Sequence, residues 1–177
     1  MSEILPRESY TEPPKTEKIN GIIYNMAGGS FKHADTISAL NSLLHAHFRG
    51  KSCKVYSSEL DIHLDDNNMF RPDISIICDF SKMRDDGYYG APTMVIEVLS
   101  PSTAKRDRGD KFDCYQAHGV EELWLVNPEY ETIEQYTRDN SNFKPPSIHF
   151  KSGTSFTSTA FEGLDIKIDD VFPVGSR

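Results

Sequence analysis

RPDISIICDF (71–80) and, after a loop, TMVIEVLSPSTAKRDRGDKFDCY (93–115) decide how this chain is read. Two short apolar runs carry one carboxylate apiece. Asp73 stands at the mouth of the first and Glu97 inside the second. The run 93–99 is apolar on both faces apart from Glu97, the pattern of a central strand covered on both sides. An ionised carboxylate in that setting is costly unless it is paired or holds a cation. Lys111 follows on DRGDKFDCYQ, which reads as a helix. Magnesium chemistry on phosphodiesters calls for one or two carboxylates plus water. A lysine beside them orients the attacking water or stabilises negative charge as it develops.

Working outward, residues 1–16 read as a flexible arm and residues 17–177 as a single domain, a length that suits one core. Residues 18–26 read as a strand, with Asn20-Gly21 marking a tight turn just before it. Residues 31–49 place Ile37, Leu40, Leu44 and Phe48 at helical spacing, and Gly50 closes that helix. CKVYSSELDIHL (53–64) alternates as one half-buried strand. Strands follow at 72–79 and 93–99, separated by a polar loop (81–92). A helix spans 103–118 and ends at His118-Gly119. The strand 121–127 is closed by Pro128. Residues 131–138 and 143–150 form a hairpin turning at 139–142, and 155–168 adds short strands. From 31 to 127 the order is helix, three strands, helix, strand.

The formal net charge is -8, with 27 acidic against 19 basic residues, which excludes a generally basic protein that coats nucleic acid. A local patch of Lys105, Arg106, Arg108 and Lys111 is still able to track phosphates. Cys53, Cys78 and Cys114 form no CxxC pair and no zinc pattern. They read as reduced thiols, Cys78 as a small buried hydrophobe. No signal peptide and no membrane span is visible, so a soluble cytoplasmic protein is expected.

The run from RPDISIICD through MVIEVLSPSTAKRDRGDKFDCYQAHGVEELWLVNPE resembles the Uma2 family of restriction endonucleases, within the PD-(D/E)xK nuclease superfamily. The resemblance covers roughly residues 18–172 and is closest from Val95 to Pro128. It implies an α/β, restriction-endonuclease-like fold with an αβββαβ core, a mixed central sheet and an added C-terminal β-hairpin. It also implies Mg²⁺ (Mn²⁺ as a substitute), held by Asp73, Glu97 and the backbone carbonyl of Val98. The bare superfamily motif has a lysine two residues after the glutamate, where this chain has Leu99. In Uma2-like sequences the lysine sits on the following helix, and Lys111 fills that place.

Asp107 and Tyr115 lie four residues either side of Lys111, on one helix face, and are expected to support it. His33, at the start of the first helix, is expected to touch a phosphate or a site water. Glu59 is a further acid beside a strand. The partner implied is nucleic acid, DNA above RNA. A homodimer is expected because duplex cleavage has two-fold geometry and the C-terminal strands offer a pairing edge. The competing reading is a binding module that keeps the fold without turnover, favoured by the acidic charge and by Leu99. A glycosidase using the acid pair would want aromatic platforms, and only Tyr88 and Tyr89 are candidates.

Overall fold

A computed structural model describes residues 14–26 and 28–172. In chain order the elements are β1 (Thr16–Ile19), β2 (Ile22–Asn25), α1 (Phe31–Phe48), β3 (Lys54–Ser57), β4 (Ile62–Asp65) and β5 (Asn68–Phe70). Next come β6 (Ile74–Ile77), β7 (Met83–Arg84), β8 (Gly87–Tyr89), β9 (Met94–Val98), α2 (Ala104–Asp107), α3 (Asp110–His118) and β10 (Glu122–Asn127). The chain closes with β11 (Thr132–Asp139), β12 (Asn142–Phe143), β13 (Ser147–Phe150), β14 (Ser155–Thr157), β15 (Asp165–Lys167) and α4 (Ile168–Val171).

The central sheet runs β12-β11-β10-β9-β6-β3, with β13 also on β11. β3, β6 and β9 form an antiparallel meander, and the α2–α3 crossover returns the chain to lay β10 parallel to β9. Helix α1, these three strands, α3 and β10 make up the expected αβββαβ core in a mixed sheet, with the added C-terminal strands beside it. Strand alternation divides the core. Ile96, Val98, Trp124 and Val126 pack with Leu40, Leu44 and Phe48 of α1. Val95, Leu99, Leu123 and Leu125 face the other way, onto Tyr115 of α3 and onto Ile19 and Phe70. Each such fully buried side chain contributes about 1.5–3 kcal/mol of transfer free energy. Glu97 stands between Val95 and Leu99 on the α3 face.

A second sheet, β2-β1-β5-β4-β8-β7, lies outside that core, and its existence corrects several expectations. Asn20-Gly21 lies inside the 18–26 run rather than before it. Both residues have positive φ, 51° and 80°, and they join β1 to β2 as a hairpin. The run 53–64 is not one strand. Val55 lies on β3 in the central sheet, whereas Ile62 lies on β4 in the second, with Glu59 in the turn between them. The 81–92 loop contains β7 and β8. The helix 103–118 is broken into α2 and α3 at Arg108-Gly109. A Cβ on Gly109 would stand 3.1 Å from the Lys105 carbonyl oxygen, a tight contact that a side chain could make only if the neighbouring backbone gave by a few tenths of an ångström. The second arm of the C-terminal hairpin is interrupted at Pro145-Pro146, where a residue without an N–H cannot join a ladder.

The cysteines also differ from expectation. Lys54 pairs with Ile77 across β3 and β6, which sets Cys53 opposite Cys78 with Cα atoms 4.2 Å apart, and the two are disulfide-bonded. Cys114 is free and buried. Of the expected 1–16 arm, residues 1–13 lie outside the described residues, and Thr16 already belongs to β1. No described helix is long and apolar enough to cross a membrane.

Candidate active site

Ile74 pairs with Ile96 across β6 and β9, so Asp73 falls opposite Glu97, one step beyond the ladder and on the α3 face. The Val98 N–H donates to Asp73 Oδ2 at 2.8 Å, fixing that carboxylate against the strand end. Val98 was expected to contribute its carbonyl; the contact present is through its N–H. Ser30 caps α1, its Oγ accepting from the His33 N–H at 3.3 Å. That cap sets His33 at the head of the helix, with Nε2 3.5 Å from Asp73 Oδ2. The hydrogen bond to Asp73 raises the His33 pKa above its ordinary value, against the opposing effect of burial.

Lys111 enters from α3. Its Nζ lies 2.6 Å from Glu97 Oε1, 3.0 Å from Glu17 Oε1 and 3.6 Å from Asp107 Oδ1. All four side chains are 3–4% exposed, so this is a dry cluster with three carboxylates around one ammonium. Tyr115 donates its hydroxyl to Glu97 Oε1 at 2.5 Å. Asp107 closes α2, and despite the helix break it stays four residues from Lys111 and in contact with it. Burial is the main force pushing the Glu97 carboxyl up to about 8, with Lys111 pulling the other way and Asp107, Asp73 and Glu17 adding to the rise. Burial likewise raises Asp107. For Lys111, burial acts to lower the pKa, but the surrounding carboxylates win and it is raised. The ammonium therefore stays charged, and the shortage of positive charge falls on the carboxyls.

Glu17 was absent from the sequence expectations. Its Oε1 accepts from Lys111 and also from the Arg71 N–H at 3.0 Å, tying the β1–β2 hairpin to both sides of the site. The burial of Glu17 and Ile19 on one face of TEKI is the pattern that could have found it. Glu59 is a surface residue paired with Lys15. Leu99, in the bare motif's lysine place, is 5% exposed and belongs to the core beside Tyr115.

A cleft opens over the cluster, lined among others by Glu17, His33, Asp73, Glu97, Asp107 and Lys111. On its rim the Arg106 guanidinium stacks 4.2 Å above the Tyr24 ring. Of the basic patch, Lys105 is exposed and Arg108 is held by Glu134 at 2.5–2.6 Å, so Arg106 and Lys111 are the members that line the cleft. Tyr88 is buried in a separate apolar cluster, and Tyr89 stacks on His63, so neither offers the platform a sugar site needs.

No group of three or more His, Cys, Asp or Glu side chains among the described residues is placed to hold a metal ion. Magnesium does not require one, because it takes one or two carboxylates and keeps several waters. Asp73 and Glu97 supply hard oxygens at one cleft, in a cluster with more carboxylates than cations. That donor set fits a divalent cation of the magnesium type.

The Uma2 family model, described as "Putative restriction endonuclease", matches residues 3–169. The uncharacterized Synechocystis protein slr1290 is 35% identical over 129 residues, 71% of this chain and 67% of that protein. A second uncharacterized Synechocystis protein, sll1609, is 27% identical over 141 residues, 77% of this chain and 79% of its own. The crystal structure of a "putative nuclease" from Anabaena variabilis matches with a TM-score of 0.75, covering 90% of each chain at 20% identity, which is a likeness of fold.

Proposed function

The chain belongs to the Uma2 family of "putative restriction endonucleases", and from that premise we propose that it is a Mg²⁺-dependent endonuclease hydrolysing nucleic-acid phosphodiesters, DNA above RNA. The observation that carries the reading is the buried Glu97–Lys111 pair lying across from Asp73 at the floor of an open cleft. Asp73, Glu97 and the Val98 carbonyl are the residues that hold the metal in this reading, with Mn²⁺ as substitute. A metal held there would polarise the phosphate and lower the pKa of its water. Lys111 keeps a positive charge in a water-poor site and stabilises the charge developing on the phosphate oxygens. Glu17 and Asp107 hold the ammonium in place, and Tyr115 fixes the Glu97 rotamer. His33 stands beside Asp73, whose hydrogen bond favours the protonated imidazole. Arg106 attracts the nucleic-acid backbone at the rim, a contribution that weakens with salt.

Cutting both strands of a duplex calls for two sites related by a two-fold axis. We place that axis at β13, the outermost strand on this edge, which exposes Ile148 and Phe150. A cytoplasmic location belongs to the same reading.

The test is calorimetric titration of Mg²⁺ and Mn²⁺ into wild type and Glu97→Ala, followed by plasmid nicking with Lys111→Ala as control. Saturable binding lost in Glu97→Ala, and nicking lost in Lys111→Ala, are expected. Wild-type protein that neither binds the ions nor nicks DNA with them present would move the reading to a binding module that keeps the fold.

A further inference from the structure

We propose that the nucleic-acid substrate leaves the active-site cleft along α1 and β3, and that Arg49 and Lys54, in a basic hollow at the far end of this track, hold phosphates of its backbone. The inference rests on the nuclease reading for what lies in the cleft. The cleft opens across Asp73 into a lobe, since Gly29, His33 and Asp73 line both. Ala34 and Ser38 of α1 wall the lobe on one side, and Ser57 and Ser58 at the end of β3 wall the other.

Farther along the same two elements lies a second hollow, lined by His45 and Arg49 from the end of α1 and by Lys54 from β3. Ala34, Ser38, His45 and Arg49 recur at spacings of four and seven, so lobe and hollow lie on one stripe of the helix. β3 runs back the other way, with Lys54 in the hollow and Ser57 in the lobe. From His33 to His45 and Arg49 the helix advances about 18–24 Å at 1.5 Å per residue. That is about five to seven steps of a nucleic-acid strand at 3.4 Å each.

The charge along this path is the reverse of the protein's. The chain has 27 acidic residues, yet none lies between Asp35 and Glu59, and that stretch holds Arg49, Lys51 and Lys54. All three are exposed, and among the described residues none is paired with a carboxylate. Lys32, Arg71, Arg108 and Lys151, by contrast, each have one. His47 is engaged by Lys51, whose Nζ is 2.6 Å from its Nε2, and feels the charge of Asp165. The negative end of the helix dipole accounts for cations at the close of α1. It does not account for Lys54, which comes to the hollow from a strand. Phe48, the aromatic side chain in the hollow, is 4% exposed. The apolar anchor that a lipid surface takes up is therefore missing from the hollow, and a row of backbone phosphates is the better match.

The experiment is fluorescence anisotropy of a labelled DNA duplex of about 20 base pairs, long enough to span cleft and hollow. The full chain is titrated in without divalent metal, so that nothing is cut, at several salt concentrations. Arg49→Gln combined with Lys54→Gln is expected to make the slope of log K against log salt shallower by about 2, and to weaken binding at least about tenfold at about 0.1 M salt. Lys144→Gln combined with Lys151→Gln, just beyond β12 and β13, removes the same charge elsewhere and is expected to keep the wild-type slope. The proposal is overturned if wild type binds no duplex, if the Arg49 and Lys54 variant keeps the wild-type slope, or if the control variant loses as much. Vesicles of phosphatidylserine and phosphatidylcholine are a further arm. Vesicle binding that depends on Arg49 and Lys54 while duplex binding does not would assign the hollow to a lipid surface and overturn the track. Nicking with Mg²⁺ or Mn²⁺ is read separately. Nicking by wild type with duplex affinity indifferent to Arg49 and Lys54 sinks the track and spares the nuclease reading. Duplex held through these residues but never nicked does the opposite.

Discussion

Replacing Lys111 with methionine keeps the aliphatic stem and deletes the ammonium that Glu97, Glu17 and Asp107 surround at 2.6–3.6 Å. Breaking a buried pair by removing one partner costs about 3–5 kcal/mol, because the remaining charge is left uncompensated. The carboxyls have an escape: one more of them takes up a proton on folding. For a group with an ordinary carboxyl pKa near 4.5 in the unfolded chain, that uptake becomes harder by about 1.4 kcal/mol per pH unit. Between pH 5.5 and pH 8 the difference is about 3.4 kcal/mol. Lys111→Met is therefore expected to lose about 4 kcal/mol at pH 8 and about 1 kcal/mol at pH 5.5. The assay is equilibrium urea unfolding at both pH values, followed by the fluorescence of Trp124, the only tryptophan and fully buried. A loss below about 1 kcal/mol at pH 8, or one that does not change with pH, would refute a dry cluster organised around this amine.

The remaining predictions concern its neighbours and the thiols. Because Glu97 is raised in the fold to about 8, the folded state holds a proton that the unfolded chain loses above about pH 4.5. Metal-free stability should fall as pH rises through that window, and Glu97→Gln should flatten the fall in calorimetric melts taken from pH 5 to 8. Glu17→Gln keeps an acceptor for the Arg71 N–H but removes one anion from Lys111. With one fewer anion beside it, Glu97 should titrate lower than in the wild type, read by NMR pH titration, and an unchanged Glu97 titration would remove Glu17 from the cluster. Denatured without reductant, the protein should show one reactive thiol, Cys114, and with reductant all three. Native Cys114 should stay inert, since burial pushes its thiol up to about 12.

The legible parts of this fold are those whose causes are local. Glu97 alone among apolar neighbours marked both the central strand and the candidate site. The four-residue spacing of Asp107, Lys111 and Tyr115 put them on one side, and that contact survived a helix break the sequence did not announce until Gly109 is given its backbone role. What stayed hidden depends on pairing between distant segments. Glu17 is buried only because the hairpin docks on β5, although Asn20-Gly21 between two short alternating runs is a hairpin signal. Cys53 and Cys78, 25 residues apart, meet only once the β3–β6 register is known. Ser57 and Ile62, five residues apart, were read as one strand, because alternation cannot tell which sheet a residue joins.

Placing the amine on α3 instead of two residues beyond Glu97 changes what controls the geometry of the site. In a single strand the spacing of two alternate side chains is fixed by covalent rise, about 6.6 Å for two residues, and no mutation elsewhere can alter it. Here the acid and the amine ride on separate bodies, and their separation is an outcome of packing. Phe70 stands edge-on to Tyr115, Leu99 fills the space a second lysine would take, and the Gln116 side chain and carbonyl are gripped by the Phe143 N–H and by Arg138. The geometry of the cluster is thus tunable from a distance. A shaved ring at Phe70 or a loosened grip on Gln116 would let α3 drift, altering the Lys111–Glu97 separation without touching either residue.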